Sequence, residues 1–180
     1  MNAVVSLDRV ADLTDGERAA LQTLSLAVYP PGEWADWPGR QLEWAVAERC
    51  VRVWSDDGEL TSYVGVVLRP GTRDGQSVLI GGVGGVKTHP AARRRGGASL
   101  GMRRAVEFFH QQPAVDFALL VCEPQLLAYY SRLGWHEFNG RLVVKQYGAV
   151  SDFTFNRVMV RGVQSEGPED GTIDLLGPPW

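Results

Sequence analysis

The sequence predicts a single domain of the α/β (α+β) class over residues 1–180, with strands and helices alternating along the chain. Apolar runs typical of strands are separated by segments whose apolar positions recur with helical periodicity. Two of these runs flank Asp57-Gly58, which is a strong hairpin signal. A long glycine-rich strand, Val78–Thr88, leads directly to an amphipathic helix. With 44% hydrophobic and 22% charged residues, a chain of 180 residues can bury one sizeable core.

The first half of the chain is predicted to hold a strand, two helices and the hairpin. Val4–Leu7 is the first strand, and Thr14-x-x-Glu17 is a capping box that begins the first helix. A second helix is predicted over Arg40–Glu48, because proline at position 38 favours a helix start. The hairpin strands are Cys50–Trp54 and Leu60–Leu68.

The second half is predicted to alternate in the same way. From Gly97 onward, apolar residues recur every three or four positions and indicate an amphipathic helix. Phe117–Cys122 is an apolar strand, and Trp135–Phe138 and Thr154–Arg161 are closing strands. Residues 1–163 are the predicted core. The tail, residues 164–180, is predicted to be irregular because Gly, Pro and acidic residues are frequent in it.

The segment Gly84–Ser99 has the features of a phosphate site at a helix N-terminus. The first turn of a helix presents backbone N–H groups without partners, and the helix dipole adds positive charge there. Gly96 and Gly97 let a ligand approach the main chain, and Arg93–Arg95 add positive charge. The glycine spacing does not match the dinucleotide fingerprint, and Lys87 does not follow a glycine as the nucleoside-triphosphate loop requires.

Two blocks of the sequence resemble the GCN5-related N-acetyltransferase (GNAT) superfamily. Arg93-x-x-Gly96-x-Ala98 resembles its acyl-CoA loop, and the strand before this motif ends in the expected Val86-x-Thr88. The block Phe117–Trp135 resembles the fifth strand and fourth helix of that fold, including an aromatic-Tyr-x-x-x-Gly-aromatic ending. The chain is therefore identified as a member of this superfamily on residues within Gly81–Trp135.

The resemblance implies a mixed, mostly antiparallel sheet of about six or seven strands, flanked by about four helices. The fourth and fifth strands should splay apart and hold the pantetheine arm of acetyl-CoA or another acyl-CoA. Glycines at positions 81, 82, 84 and 85 fit such a close approach, although a bent strand without a ligand has the same signature. The implied cofactor-binding residues are Val86, Lys87, Thr88, Arg93, Arg94, Arg95, Gly96, Gly97, Ala98 and Ser99.

The resemblance also implies direct acyl transfer to an amine, with a general acid that protonates the leaving thiolate. Tyr130 lies four residues before Gly134, where the family has that acid. Tyr129 is its aromatic neighbour. The alternative is that both tyrosines are core residues of a helix.

The general base is less apparent in the sequence. The chain resembles the aminoglycoside 2′-N-acetyltransferase branch, in which a Glu-Gly pair precedes the Val-x-Val of the central strand. Here the two positions are Gly84 and Gly85, so no carboxylate is supplied there. Glu123, at the end of the fifth strand, is the candidate base through water, or it caps the following helix.

The same branch suggests where an acceptor would bind. Asp36 and the carboxylate of Trp180 are candidates to attract a cationic substrate, and Gly84 and Gly85 would lie beside it. Trp34, Trp37, Trp44 and Trp180 would add apolar and cation–π surface. Alternatively, these acids are ordinary surface residues and the tryptophans pack the core.

Composition argues against several other classes. A net charge of −3 gives no drive toward nucleic acid, and no apolar run approaches the roughly 20 residues of a membrane span. The expected location is cytoplasmic, with Cys50 and Cys122 as buried free thiols. The histidines lack metal-ligand spacing, so no metal is expected. A homodimer is left open.

Two functions of different classes remain open. The first is an acetyl-CoA-dependent N-acetyltransferase that acts on a small amine, aminoglycoside-like or otherwise, or on a peptide or protein amine. The second is a non-catalytic acyl-CoA sensor, which would explain the absent glutamate at Gly84. Tyr130 favours the enzyme, because a sensor needs no acid for a leaving group.

Overall fold

The computed structural model describes residues 3–180, and within them ten strands form one sheet and three α-helices pack against it. The α-helices are α1 (Asp15–Val28), α2 (Gly97–His110) and α3 (Leu127–Ser131). The strands are β1 (Val4–Arg9), β2 (Arg49–Trp54), β3 (Leu60–Arg73), β4 (Gln76–Thr88), β5 (Phe117–Cys122), β6 (His136–Glu137), β7 (Arg141–Gln146), β8 (Ala149–Asp152), β9 (Arg157–Gly162) and β10 (Thr172–Asp174).

The sheet is mixed and mostly antiparallel, which confirms the predicted fold class. Its main path runs β6-β9-β5-β4-β3-β10-β7-β8, and β3 also pairs with β2, which carries β1 at the edge. Only β4 with β5 and β7 with β10 pair in parallel. The sheet has more strands than predicted and fewer α-helices, because several short pairings and one irregular segment were not apparent in the sequence.

Strands β3 and β4 form a central hairpin that was not predicted, and both strands are longer than predicted. Strands β3 and β4 pair from Ser62 to Arg73 and meet at the two-residue turn Asp74-Gly75, whose φ angles are 49° and 80°. Two positive φ values are typical of the hairpin turn that Asp-Gly favours. Pro70 lies within β3, opposite Leu79, although the prediction ended this strand at Leu68.

The prediction of a helix over Arg40–Glu48 is wrong. A short 3₁₀ helix covers Pro38–Gln41, and the chain then runs without regular structure to β2. Backbone N–H groups of this segment donate to acceptors in distant parts of the chain instead of forming helical hydrogen bonds. The N–H of Glu43 donates to the Gln146 side chain at 2.9 Å, and that of Ala45 donates to the carbonyl of Pro179 at 2.7 Å.

The C-terminal tail is not irregular throughout, as was predicted. Its strand β10 fills the space between β3 and β7, and Ile173 is fully buried. The carbonyl of Gly177 then accepts from the N–H of Lys145, and that of Pro178 accepts from the Arg69 guanidinium. These pairings are made with residues more than 30 positions away, so local composition does not reveal them.

A further hairpin, formed by β7 and β8, was also not predicted. Its turn is Tyr147-Gly148, with φ angles of 51° and 85°. The closing strand predicted at Thr154–Arg161 begins later, at Arg157. Residues 153–156 lead from the hairpin to β9 and bring Phe153 and Phe155 beside Trp44.

The sheet carries a hydrophobic core on each face. One cluster packs α2 on β3 and β4, with Phe109 fully buried at its centre. A Cβ at Gly81 would lie 2.7 Å from the Phe109 ring, so this glycine makes room for the helix. The other cluster lies on the opposite face and includes Ile173 and Trp180.

The start of α1 is tied to the sheet by a buried cation. The predicted capping box of Thr14 and Glu17 is present. The side chain of Arg52, on β2, is 4% exposed and pairs with Asp8 at 2.7 Å and with Glu17 at 2.6 Å. The backbone N–H of Thr14 and the Arg52 guanidinium lower the pKa of Glu17 to about 2. This ion pair joins β1, β2 and α1.

Among residues 3–180, no helix combines the length and apolar character needed to cross a bilayer.

Candidate active site

A cavity of about 830 Å³ opens where β4 and β5 diverge. The parallel pairing of the two strands covers only Ile80–Val83 and Phe117–Leu120, and it stops there. Beyond Val83 the main chain of β4 leaves its β5 side unpaired while it stays paired to β3 on the other side. This is the splay that the family resemblance implied, and its unpaired backbone groups suit an extended ligand.

A β-bulge in β4 sets which side chains face each side of the sheet. The pairing steps from Gly65 opposite Gly84 to Tyr63 opposite Lys87, so β4 has one extra residue there. Gly85 has a φ angle of 58°, which favours glycine. The extra residue reverses the alternation, so Lys87 lies on the same face as Gly84.

The N-terminus of α2 lies on the opposite face. Gly96 precedes the helix with a φ angle of 86°, and no side chain caps the first turn. A Cβ at Gly97 would lie 2.5 Å from Ser62 Oγ, and Ser62 Oγ is 3.1 Å from Thr88 Oγ1. This turn, at Gly96–Ser99, is the one predicted to bind the phosphates of coenzyme A, because its first N–H groups have no partner within the helix.

The predicted basic residues surround this turn. Arg93 lines the cavity, whereas Arg94 and Arg95 are exposed beside it. Arg94 has a φ angle of 62°, which directs the chain around the loop before Gly96. Val86 packs on the α2 face of the sheet, whereas Lys87 lies on the opposite face. These two predicted cofactor-binding residues therefore lie on different sides of β4.

Tyr130 reaches the cavity from α3. The residue is 5% exposed, and its hydroxyl makes no hydrogen bond to another side chain within residues 3–180. Burial raises the pKa of Tyr130, with a smaller effect from Cys122. Its hydroxyl therefore keeps its proton at neutral pH. Tyr129 differs, because its hydroxyl lies 3.3 Å from Ser99 Oγ on α2 and does not line the cavity.

Two residues at the end of β5 also line the cavity. Burial raises the pKa of Cys122 to about 11, so this thiol is protonated and a poor nucleophile. The side chain of Glu123 does not cap the 3₁₀ helix that follows it, and it accepts a hydrogen bond from Gln125. Glu123 thus lines the cavity wall and does not cap the helix.

Trp180 fills the space that two glycines of β4 leave open. A Cβ at Gly82 would lie 2.3 Å from the Trp180 ring, and one at Gly84 would lie 2.6 Å from its main-chain carbonyl carbon. The indole N–H donates to the carbonyl of Leu119 at 2.9 Å, and the Arg69 guanidinium lies 5.0 Å above the ring centre. Gly81 and Gly82 therefore accommodate side chains of this protein rather than a ligand.

The acceptor side of the cavity has an aromatic wall. This wall comprises Tyr29, Trp34, Trp37 and Trp44, from the segment between α1 and β2. The ring centres of Tyr29 and Trp34 are 4.8 Å apart, and those of Trp37 and Trp44 are 6.1 Å apart in a stacked arrangement. Three of these were predicted as acceptor surface. Tyr29 was missed, and the high density of aromatic residues in this segment was the available signal.

The structure does not bring Asp36 to the cavity. Asp36 is exposed and absent from the lining, although its neighbours Trp34 and Trp37 contribute to it. The charged side chains that do line the cavity are Arg40, Lys87, Arg93 and Glu123. Arg40 and Lys87 were not predicted on the acceptor side.

Comparison with known proteins agrees with this geometry. Residues 19–138 match the family model described as an acetyltransferase (GNAT) domain. The chain belongs to the GNAT acetyltransferase family. The predicted superfamily is thereby confirmed, whereas the aminoglycoside branch is not established. A search of curated protein sequences returned no significant match.

Solved structures share the fold of this GNAT domain at low sequence identity. An acyl-CoA N-acyltransferase from Pseudomonas aeruginosa is 21% identical with a TM-score of 0.61, over 89% of this chain and 100% of that one. YhbS from Escherichia coli, solved in complex with CoA, is 13% identical with a TM-score of 0.63, over 99% and 96%. ElaA from Escherichia coli is 18% identical with a TM-score of 0.58, over 89% and 99%.

Family membership establishes the general chemistry of this GNAT domain. GNAT proteins are acyltransferases that use acetyl-CoA or another acyl-CoA with an amine acceptor, which confirms the predicted cofactor. The α2 N-terminus and the unpaired edge of β4 fit such a donor. No group of three or more His, Cys, Asp or Glu side chains suited to a metal ion occurs in the described part of the chain.

Proposed function

We propose that this GNAT domain transfers an acetyl group from acetyl-CoA to the primary amine of a small molecule, with Tyr130 as the general acid. The observation that carries this proposal is the free, protonated hydroxyl of Tyr130 in the wall of the cavity. Bound acetyl-CoA supplies an activated thioester. The splayed edge of β4 and the first turn of α2 hold it, through Val86, Thr88 and Gly96–Ser99.

The transfer removes two protons from the ammonium, and the cavity offers a group for each. The amine nitrogen forms a bond to the acyl carbon while the carbon–sulfur bond breaks. The ammonium first gives up one proton to become a nucleophile, and the nitrogen gives up a second as the amide forms. The departing sulfur takes a proton from Tyr130 Oη, and the second amine proton restores that hydroxyl. We assign the first proton to Glu123, acting through water, because its carboxylate lies in the cavity wall and caps no helix.

The glycines at the β4 bulge complete the proposed acceptor site. The main chain of Trp180 lies against Gly84, on the cavity side of β4. The bulge at Gly85 turns a backbone N–H of β4 out of the ladder, where it can stabilise the developing oxyanion.

The other functions considered from the sequence have weaker support. A non-catalytic sensor gives no reason for a free Tyr130 hydroxyl in the cavity. An aminoglycoside acceptor would place several cations among three cationic side chains, and Asp36 lies outside the cavity.

The test of this function compares two adjacent tyrosines. Release of free thiol from acetyl-CoA is measured with a panel of primary amines for the wild type, Tyr130→Phe and Tyr129→Phe. Loss of a general acid lowers kcat by roughly 100-fold or more, with little change in the affinity for acetyl-CoA. Tyr129→Phe is the matched control for kcat, since its hydroxyl does not line the cavity; because this hydroxyl contacts Ser99 in the cofactor turn, the affinity for acetyl-CoA is measured for both variants.

Amine-dependent thiol release that falls only in Tyr130→Phe supports the proposed role. Equal losses in both variants would assign the tyrosines to packing. Binding of acetyl-CoA without thiol release for any amine would favour the sensor.

A further inference from the structure

The acceptor side of the cavity is apolar and rich in aromatic rings. Seven rings line the whole cavity, and they belong to Tyr29, Trp34, Trp37, Trp44, Tyr63, Tyr130 and Trp180. Trp37 and Trp44 are supported from behind by Phe155, with ring centres at 6.0 and 6.3 Å. Such a wall binds a flat apolar group more favourably than a hydrated polyol, because burying apolar surface and stacking rings lower the free energy.

Lys87 is a cation in this apolar site without a carboxylate partner. No carboxylate oxygen lies within 4.0 Å of its ammonium among residues 3–180. Lys87 Nζ donates to Ser25 Oγ at 3.0 Å and lies 5.1 Å from the Tyr63 ring centre and 5.8 Å from that of Tyr29. Burial lowers its pKa, because desolvation disfavours the charged form.

The bulge directs Lys87 away from the cofactor cradle. Lys87 pairs with Tyr63, and both face the cavity, whereas the next pair, Ser62 and Thr88, faces the N-terminus of α2. Adjacent residues of a strand point to opposite faces of the sheet. The ammonium of Lys87 therefore lies on the acceptor side and not beside the phosphate site at Gly97.

We propose that the acceptor of this cavity is an aromatic primary amine that also carries a carboxylate, as an aromatic α-amino acid does. The ring packs on the aromatic wall formed by Tyr29, Trp34, Trp37 and Trp44, and the carboxylate pairs with Lys87. The amine then lies toward Gly84 and Tyr130, where the acyl group is transferred. This substrate class rests on the acetyl transfer proposed above.

The charges of the cavity match such an acceptor better than a polyamine. Its charged side chains are three cations, Arg40, Lys87 and Arg93, and one carboxylate, Glu123. A zwitterionic acceptor gives each end a partner of opposite charge. A polyamine would leave Lys87 unpaired and bring further positive charge next to it.

The experiment uses pairs of amines that differ only in the carboxylate. Initial rates of acetyl transfer are measured for tryptophan against tryptamine and for phenylalanine against phenethylamine, with spermidine and kanamycin as polyamines. The wild type is expected to prefer the carboxylated member of each pair by roughly tenfold in kcat/KM, as for one charge-assisted contact. Both polyamines should be poorer than either member.

Lys87→Met tests whether this lysine binds the carboxylate of the acceptor. The variant should raise KM for tryptophan roughly tenfold and leave KM for tryptamine within about twofold. Its dissociation constant for CoA, measured by calorimetry, should not change. Lys145→Met, at an exposed lysine of β7, is the matched control and should behave as wild type.

The other outcomes would contradict the proposed function, the substrate class or the role of Lys87 separately. If the wild type acetylates no amine, the proposed function fails and the substrate class fails with it. If it acetylates amines but tryptamine is as good as tryptophan, or a polyamine is better, the substrate class alone is wrong. Weaker CoA binding in Lys87→Met would assign the lysine to the cofactor and overturn its role.

Discussion

Arg52 and Lys87 are two cations removed from water on the same sheet, and the fold treats them in opposite ways. Arg52 has two carboxylate partners, Asp8 and Glu17, and although burial alone lowers its pKa, these hydrogen bonds raise it above the ordinary value. Lys87 has no carboxylate partner in the described residues, and burial lowers its pKa.

The difference separates a charge that supports the fold from one that is available to a ligand. A desolvated charge costs free energy unless a partner offsets it. The charge of Arg52 is offset by the carboxylates of Asp8 and Glu17, and the pairing joins β1, β2 and α1. Lys87 lies in a cavity, where a bound molecule can supply an anion.

Removing the paired cation should have the largest effect on stability. Arg52→Met leaves Asp8 and Glu17 without their shared partner, and we expect a loss of about 2–3 kcal/mol in the free energy of unfolding. Chemical denaturation measures it. The control is Arg141→Met, which breaks an exposed pair with Asp152 and should change little. Similar small effects for both variants would remove the distinction between Arg52 and a surface pair.

Acid should weaken the Arg52 cluster through Glu17. The pKa of Glu17 is about 2 in the fold and 4.5 as its ordinary value, so its contribution is complete above pH 4.5 and lost as the pH falls toward 2. Thermal unfolding of wild type and Glu17→Gln is compared between pH 7 and pH 3. The wild type should lose Tm more steeply below pH 4.5. Parallel curves would indicate that Glu17 titrates as an exposed carboxyl.

Removing the unpaired cation should have the smallest effect on stability. Lys87→Met gives up one hydrogen bond to Ser25 and two contacts with tyrosine rings, and it relieves the desolvation of the ammonium. We expect the free energy of unfolding to change by less than about 1 kcal/mol, since these terms oppose each other. A loss as large as that of Arg52→Met would make Lys87 a structural residue.

The sequence predicted the parts of the site that depend on local signals. The turn before α2 follows from Gly96, Gly97 and the amphipathic helix after them, and Tyr130 follows from the short block that precedes Gly134. Each of these features is contained in about a dozen consecutive residues. Its geometry is therefore set by neighbours that the sequence places side by side.

The acceptor side depends on contacts between distant segments, so less of it could be predicted. The face of Lys87 depends on an extra residue in β4, which only the pairing with β3 reveals. The segment predicted as a helix at Arg40–Glu48 instead binds Gln146 and Pro179. Asp36 lies outside the cavity because this segment directs its tryptophans inward.

The most direct test of this distinction measures binding of an anion without catalysis. Indole-3-propionate has the ring and the carboxylate but no amine, and calorimetry gives its affinity for wild type, Lys87→Met and Lys145→Met in the presence of CoA. We expect binding by wild type and Lys145→Met, and roughly tenfold weaker binding by Lys87→Met. Equal affinity for all three proteins would contradict the assignment of Lys87 to a ligand.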